Sequence, residues 1–277
     1  MNQIGVMQGR LLPKYKGRYQ AHPKDTWQDE FFLAQKLGLD LVEFIFDYDD
    51  FVKNPLFSAN GIRLIKKIIK ESKVGVKTVC ADFFMDQPIH SIDKKKHKES
   101  KAVLKNLIKF CSELNVSDII IPCVDNSSLK NKKDINVFVE TISEFGNLLE
   151  KFEINLSLET DLAPTEFLSL LNKFSSKRIT VNYDIGNSAC KGFNYLEELG
   201  SYGKRITDVH IKDRTLGGAS VYLGMGNANF DGVFKSLKSL PYKGPLIMQA
   251  YRDEDGLEIF KKQYSWIKKK LKIFYEN

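Results

Sequence analysis

The chain has 277 residues, which is long enough to bury a sizeable core. Its composition, 43% hydrophobic and 28% charged with 8 Pro and 18 Gly, is that of an ordinary globular protein and excludes a disordered or fibrous chain. The net charge of +7 suits an anionic partner, but the excess lies in lysine-rich stretches whose helical spacing indicates solvated helix faces. Because recognised DNA- and RNA-binding motifs are absent from the sequence, we expect no nucleic-acid partner.

Eight short apolar runs rich in Ile and Val recur along the chain. They are IGVMQG (4–9), LDLVEFIF (39–46), GVKTVCA (75–81), SDIIIPCV (117–124), INLSLE (154–159), RITVNYD (178–184), ITDVHI (206–211) and PLIMQA (245–250). Amphipathic helical patterns separate them at intervals of about 25 to 40 residues, the size of a β/α unit. Strict alternation predicts parallel strands, and eight units fit a closed (β/α)8 TIM barrel, a single domain over residues 1–277, better than an open doubly wound sheet.

Neither a membrane segment nor a disulfide framework is predicted. No apolar run approaches the roughly 20 residues of a membrane-spanning helix, and the first 20 residues lack the apolar segment of a signal peptide. We therefore expect a cytoplasmic protein with no membrane partner. Cys80, Cys111, Cys123 and Cys190 are dispersed without a C-x-x-C pair, which predicts reduced thiols rather than a zinc ribbon.

Active sites of such barrels lie at the C-terminal ends of the strands, so the polar residues that close the apolar runs are the candidates. The last four runs end in or next to Glu159, Asp184, His210 and Gln249. Adjacent strands lie only ~4.8 Å apart, so these four side chains are expected to converge on one point. Each of them alone has an ordinary structural explanation as a solvated or hydrogen-bonded residue, and Gln249 could also be a plain core amide.

A set of two carboxylates, one imidazole and one amide oxygen predicts a divalent metal site. These ligands favour Mn²⁺, Mg²⁺ or Co²⁺, and they also suit Fe²⁺ and Zn²⁺. Such an ion polarises a carbonyl and makes the neighbouring C–H acidic, while a nearby carboxylate or lysine moves the proton. This chemistry isomerises or epimerises a ketose, or eliminates water beside a carbonyl.

Four segments resemble the second half of the xylose-isomerase-like TIM-barrel superfamily, which includes sugar phosphate isomerases and epimerases and the family 2 AP endonucleases. They are SLET (157–160), NYDIGNSA (182–189), DVHIKDR (208–214) and LGMGNANFDGVFKSLKSLPYKGPLIMQ (223–249). The opening VMQGRLLPKYKGRYQAHPKDTWQDEF (6–31) is similar to a subgroup found with surface-polysaccharide sugar genes. The resemblance covers essentially the whole chain.

The resemblance implies roles for particular residues. Glu159, Asp184 and His210 match three metal ligands of the family, and Glu159 also matches a carboxylate that shuttles protons. Gln249 departs from the family, since most members have there a glutamate that is both fourth ligand and second catalytic carboxylate. An amide binds a metal through its oxygen but does not accept a proton at neutral pH.

Further roles concern proton movement and substrate binding. Lys212 and Asp213 match a segment beside the metal and are expected to assist proton movement. Seven residues are expected to contact the substrate: Gln8, Arg10, Glu43, Asp82, Asn187, Arg214 and Arg252. The loop GMGNAN (224–229) is incomplete as a phosphate-binding glycine motif, and a plain loop before a helix is the simpler interpretation.

The sequence thus predicts a metal-dependent isomerase or epimerase acting on a small sugar or sugar phosphate. A sugar dehydratase or lyase using the same site and a non-catalytic sugar-binding barrel remain alternatives, the second because of Gln249. The endonuclease function is disfavoured because its trinuclear zinc site is rich in His and this chain has only four. Since relatives are often dimers or tetramers, a homo-oligomer is also expected.

Overall fold

The structure, a computed structural model, describes residues 2–240 and 242–275, the last without its side chain. Eight parallel strands form a closed barrel in which each strand pairs with the next and the eighth pairs with the first. The strands are β1 Ile4–Met7, β2 Leu41–Ile45, β3 Thr78–Cys80, β4 Asp118–Cys123, β5 Asn155–Thr160, β6 Ile179–Asp184, β7 Ile206–Ile211 and β8 Leu246–Met248. The predicted (β/α)8 TIM barrel is confirmed, and every predicted strand is present.

Helices follow the strands and cover the outside of the barrel. They are α1 Trp27–Leu37, α2 Ala59–Ser72, α3 Phe83–Asp86, α4 Lys94–Ser112, α5 Lys132–Ser143, α6 Gly146–Phe152, α7 Pro164–Leu171, α8 Ile185–Lys191, α9 Tyr195–Tyr202, α10 Phe230–Ser239 and α11 Leu257–Tyr275. The main core lies between these helices and the strands. Among the described residues, no helix is both long enough and apolar enough to cross a membrane.

The inside of the barrel is closed by side chains rather than open as a pore. A small apolar cluster fills part of it, made of Met7, Leu41, Ile45, Cys80, Ile120 and Ile247. Gly5 makes room for this packing, because a Cβ at this position would lie 2.5 Å from Cδ1 of Ile247. A filled interior leaves the open ends of the strands as the place where a ligand can bind.

The strand register brings the predicted metal ligands to the same level at the C-terminal end. Asp184 is the last residue of β6 and pairs directly with His210 of β7. Glu159 lies one residue before the end of β5. Parallel strands whose ends meet at one edge therefore hold these three side chains in one ring.

Candidate active site at the barrel mouth

Glu159, Asp184 and His210 form a compact buried group. One ligand atom from each lies within 4.8 Å of the others, and their exposed fractions are 7%, 5% and 0%. Asp184 also caps α8, since its Oδ1 accepts a hydrogen bond of 2.8 Å from the backbone N–H of Asn187. Its Oδ2 lies 3.2 Å from Nζ of Lys212. The fold thus concentrates two carboxylates and one imidazole at a single point.

Two amide side chains fix the orientation of Glu159. Asn187 donates to Oε1 across 2.6 Å, and Asn182 donates to Oε2 across 2.8 Å. Burial, with a further contribution from the charge of Asp184, raises the pKa of Glu159 to about 7 in the metal-free protein. A carboxylate with a pKa near neutrality is suited to accept and return protons.

The imidazole of His210 is held between two carboxylates. Its Nε2 lies 2.9 Å from Oε1 of Glu43, and its Nδ1 lies 3.6 Å from Oε2 of Glu159. Burial opposes protonation of His210, but the charge and hydrogen bond of Glu43 act together with the charges of Asp208 and Glu159 and raise the pKa of this imidazole to about 10 in the metal-free protein. A carboxylate on the far ring nitrogen is the usual arrangement that orients a ligating histidine.

Gln249 follows β8 and leaves its carbonyl oxygen free. Its Nε2 donates to Oε1 of Gln20 across 3.0 Å and to Sδ of Met7 across 3.3 Å. Its Oε1 is buried and has no hydrogen-bond partner among the described residues. A buried oxygen without a partner is costly, and a divalent ion would relieve this cost. The free Gln249 oxygen and the three-residue group therefore fit a mixed oxygen and nitrogen metal site.

A cavity of about 200 Å³ adjoins this group at Glu159. Glu159 and Gln249 line it, and so do four residues predicted to bind substrate: Arg10, Asp82, Asn187 and Arg214. Lys212 is also on its wall. The cavity is smaller than the roughly 300 to 1,000 Å³ typical of drug-sized ligands, so it suits a small molecule such as a monosaccharide.

Comparison with known proteins identifies the family. A family model described as a xylose isomerase-like TIM barrel matches residues 31–270. The chain belongs to this family. An L-ribulose-5-phosphate 3-epimerase, UlaE, of Escherichia coli O1:K1 / APEC is 23% identical over 257 residues, covering 89% of this chain and 90% of the relative.

Solved structures of other proteins have the same fold. The structure of an L-ribulose 3-epimerase superposes with a TM-score of 0.77 at 17% identity, covering 100% of this chain and 96% of the other. A crystal structure of the IOLI protein with a binding zinc atom superposes with a TM-score of 0.78 at 14% identity, covering 99% and 100%. These likenesses extend over the whole barrel.

Two of the predicted substrate contacts, Glu43 and Gln8, are buried and do not line the cavity. Glu43 is the third residue of the five-residue strand β2, not its end, and is fully buried beside His210 and Asp208. Gln8 is also fully buried, and its Oε1 accepts hydrogen bonds from the backbone N–H of Ile45 and from the ring of His22. Neither is among the residues that line the cavity. Both were predicted to contact substrate because the apolar run around each of them is longer than the strand itself.

Glu43 also belongs to a second group with metal-ligand geometry, formed with Asp208 and His210. All three side chains are fully buried. Burial raises the pKa of Asp208 well above its usual range. The group lies beneath the cavity, and we assign it to the support of His210.

Arg252 and Asp213 are tied to backbone groups rather than to the cavity. Arg252 donates to the carbonyl oxygens of Gly9 at 2.5 Å and Leu12 at 2.7 Å. Asp213 accepts the backbone N–H groups of Gly224 at 2.8 Å, Gly226 at 2.9 Å and Ala228 at 3.1 Å. The structure places both side chains away from the cavity wall, where one fastens the loop after β1 and the other the loop GMGNAN.

The contacts of Asp213 explain why that glycine-rich loop does not offer an anion site. The backbone N–H groups of Gly224 and Gly226, which would face a phosphate, already donate to Oδ2 of Asp213. A buried carboxylate thus takes the place that an anionic ligand would need. The loop is part of the scaffold behind the site.

The three cations that line the cavity are held by hydrogen bonds. Arg10 donates to the carbonyl oxygen of Ala250 and to Oε1 of Gln20. Arg214 donates to Oδ1 of Asn187 at 2.9 Å, and Lys212 contacts the Asp184 carboxylate. Each of these three cations is thus anchored by a neighbouring hydrogen bond or ion pair.

Two residues of the site were not singled out from the sequence. Asn182 lies two positions before Asp184 on the same strand, so the period-two alternation of β6 could have indicated that both face inward. Gln20 comes from the irregular segment after β1 and carries no periodic signal. Its position became evident only from its contacts with Arg10, Asp82 and Gln249.

Proposed function

We propose that this protein is a divalent-metal-dependent epimerase of a small ketose or ketose phosphate. The observation that carries the proposal is the group Glu159, Asp184 and His210 at the strand ends, of which Glu159 lines a cavity of monosaccharide size. Membership of the xylose isomerase-like family and a curated relative named as an L-ribulose-5-phosphate 3-epimerase support a sugar epimerase.

The metal would be held by Glu159, Asp184, His210 and the carbonyl oxygen of Gln249. When bound, it would bring the substrate carbonyl into an electron-withdrawing environment and make the adjacent C–H acidic. Mn²⁺, Mg²⁺ and Co²⁺ suit this set best, and Zn²⁺ and Fe²⁺ also bind such ligands.

Glu159 is the base in this proposal. Its carboxylate removes the proton from the carbon beside the carbonyl, and the electron pair of that C–H bond passes into an enediolate. Asn187 and Asn182 hold both carboxylate oxygens of Glu159, which keeps the base in one orientation. Return of a proton to the opposite face of the same carbon inverts the stereocentre.

Substrate hydroxyl groups would be held mainly by Asn187, Arg214 and Lys212. Arg214 has guanidinium hydrogens beyond those used with Asn187 and the carbonyl oxygen of Gly218, and guanidinium groups suit oxyanions. A phosphate at the end of the substrate is compatible with these two cations. The similarity of the N-terminus to proteins found with surface-polysaccharide sugar genes adds the expectation that the sugar belongs to such a route.

The metal-loading experiment tests the proposal directly. The protein is stripped with EDTA, refilled with Mn²⁺, Mg²⁺, Co²⁺ or Zn²⁺, and incubated with L-ribulose and L-ribulose 5-phosphate while NMR follows the appearance of the C3 epimer. We expect activity with at least one ion, none after EDTA, and a fall of about 10²-fold or more in Glu159→Gln, the range for loss of a general base. Full activity in the stripped protein, or in Glu159→Gln, would overturn the assignment.

Gln249 favours one alternative on the same site. Elimination of water beside a carbonyl needs only one base, so the missing carboxylate at this position does not hinder a dehydratase. The NMR assay separates the two, because a dehydratase yields a product that has lost water and an epimerase yields an isomer. A metal-loaded protein that binds the ketose but forms neither product would instead be a sugar-binding barrel.

A further inference from the structure

Epimerisation needs a proton donor on the face of the substrate opposite Glu159. Gln249 occupies a position where the family usually has a carboxylate, and its amide does not supply a proton. A second carboxylate, Asp82, lines the same cavity in the short connection between β3 and α3. We propose that Asp82 is the second acid–base group of the site, acting opposite Glu159. This inference rests on the proposed epimerase function.

The position and contacts of Asp82 suit an acid–base group. It is half-buried and lines the cavity, and it forms no ion pair with a lysine, arginine or histidine in the described part of the chain. The thiol of Cys80 donates to its Oδ1 at 3.1 Å, and Gln20 donates to its Oδ2 at 2.7 Å. Burial raises the pKa of Asp82 above its usual value, which is the direction that an acid–base group working near neutral pH requires.

Gln20 links Asp82 to the eighth strand. Its Oε1 accepts hydrogen bonds of 3.0 Å from both Arg10 and Gln249. These two donors fix which end of the Gln20 amide is oxygen, so the nitrogen end must face Asp82. A glutamate at position 249 has no N–H to donate. The amide of Gln249 therefore helps to orient Gln20, and Gln20 in turn orients the carboxylate of Asp82.

Other groups on the cavity wall fit the role less well. Lys212, which follows β7, forms an ion pair with Asp184, one of the expected metal ligands. Its charge also acts on Glu159. Asp125 is exposed to solvent, so bulk water competes with the substrate for its carboxylate. Asp82 follows β3, on the other side of β5 from the strand β7 that precedes Lys212, and Gln20 links it to Gln249 after β8.

The proton inventory of the reaction balances with these two groups. The carboxylate of Glu159 forms an O–H bond with the departing proton, and the C–H electron pair moves into the enediolate. The carboxyl group of Asp82 then breaks its O–H bond and forms a C–H bond with the same carbon from the other face. Glu159 ends protonated and Asp82 ends ionised, which is the form that converts the opposite epimer. Proton exchange with water restores the starting form.

Deuterium exchange separates the two half-reactions. Wild type and Asp82→Asn, both loaded with Mn²⁺, are incubated in D₂O with L-ribulose or its C3 epimer L-xylulose, each with and without a 5-phosphate, and NMR follows deuterium entry and epimer formation. We expect Asp82→Asn to lose epimer formation by about 10²-fold or more. It should still exchange deuterium into the one epimer whose C–H faces Glu159. Asp82→Glu should restore part of the epimer formation.

Asp86→Asn is the matched control. Asp86 is an exposed residue on the same short helix α3, so this change removes the same charge outside the cavity and should leave both reactions unchanged. Epimer formation within threefold of wild type in Asp82→Asn would overturn the inference. Equal loss of epimer formation and of both exchange reactions would overturn it as well, since it indicates a binding role. If wild type exchanges deuterium into neither epimer, the proposed function itself fails.

Discussion

Gln249 donates its side-chain N–H to Oε1 of Gln20 across 3.0 Å, while its own carbonyl oxygen is buried and has no hydrogen-bond partner within residues 2–240 and 242–275. The amide therefore has a donor end committed to the protein and an acceptor end available to a ligand. A glutamate in its place would keep only the second property.

Substitution of Gln249 tests whether this oxygen binds the metal. Gln249→Leu removes the oxygen and should weaken Mn²⁺ binding by about 10-fold or more, the usual scale for losing one ligand interaction of ~1.4 kcal/mol. Gln249→Glu adds a negative charge to the ligands and should tighten Mn²⁺ binding. Isothermal titration calorimetry measures both, and unchanged affinity in Gln249→Leu would remove Gln249 from the ligand set.

Metal binding should depend on pH in a defined direction. Metal ligands must be deprotonated, and the metal-free protein holds the pKa of Glu159 at about 7 and that of His210 at about 10. Below pH 7 both groups carry a proton that the metal displaces, and between pH 7 and 10 only His210 does. The apparent affinity therefore rises with pH throughout, more steeply below pH 7.

Calorimetry with Mn²⁺ from pH 6 to pH 8 checks this dependence. Titrations in buffers of different ionisation enthalpy count the released protons, and the number should approach two at pH 6 and one at pH 8. Glu159→Gln has no carboxyl proton to lose, so its count at pH 6 should fall to one. An affinity that is flat over this range would contradict the protonation states inferred for the two ligands.

How far the sequence defines this site depends on where each residue lies in its element. Asp184 ends β6, and Glu159 and His210 each precede the last residue of their strand. The apolar runs predict these three strand ends to within one residue, and parallel strands in register bring such ends together. Glu43 has the same residue type but sits in the middle of β2. The apolar run around it extends past the strand, so the sequence did not show that Glu43 lies beneath the mouth.

Residues in irregular segments were harder to place. Arg252 and Asp213 follow strands as a substrate-binding or catalytic residue would, but their partners are backbone groups of loops distant in sequence. The role of Gln20 likewise depends on three contacts with other loops and strands. No local pattern encodes such long-range hydrogen bonds, so only the folded structure reveals them.

Asp213 should be important for stability rather than for proton transfer. Its buried carboxylate accepts three hydrogen bonds from backbone N–H groups. Asp213→Asn keeps one acceptor oxygen and replaces the other with an NH₂ group, which would face backbone N–H donors. We expect a loss of about 2 to 4 kcal/mol in the free energy of unfolding, the scale for unsatisfied buried polar groups. Urea denaturation measures it. A variant of unchanged stability that loses deuterium exchange would restore the catalytic role expected from the sequence.

Two arginines near the mouth should respond differently to the same substitution. Arg252→Met breaks hydrogen bonds to the carbonyl oxygens of Gly9 and Leu12 and should lower the free energy of unfolding by about 2 to 3 kcal/mol. Arg214→Met removes a side chain that lines the cavity and contacts Asn187.

For Arg214→Met we expect little change in stability and a KM for the ketose raised by about 10-fold, the result of losing one charged hydrogen bond of ~1.4 kcal/mol. Urea denaturation and initial-rate kinetics on both variants provide the comparison. If Arg252→Met instead raised KM with unchanged stability, Arg252 would be a substrate contact, as the sequence predicts. Each variant is thus the control for the other, because the two share residue type and replacement and differ in whether the guanidinium lines the cavity.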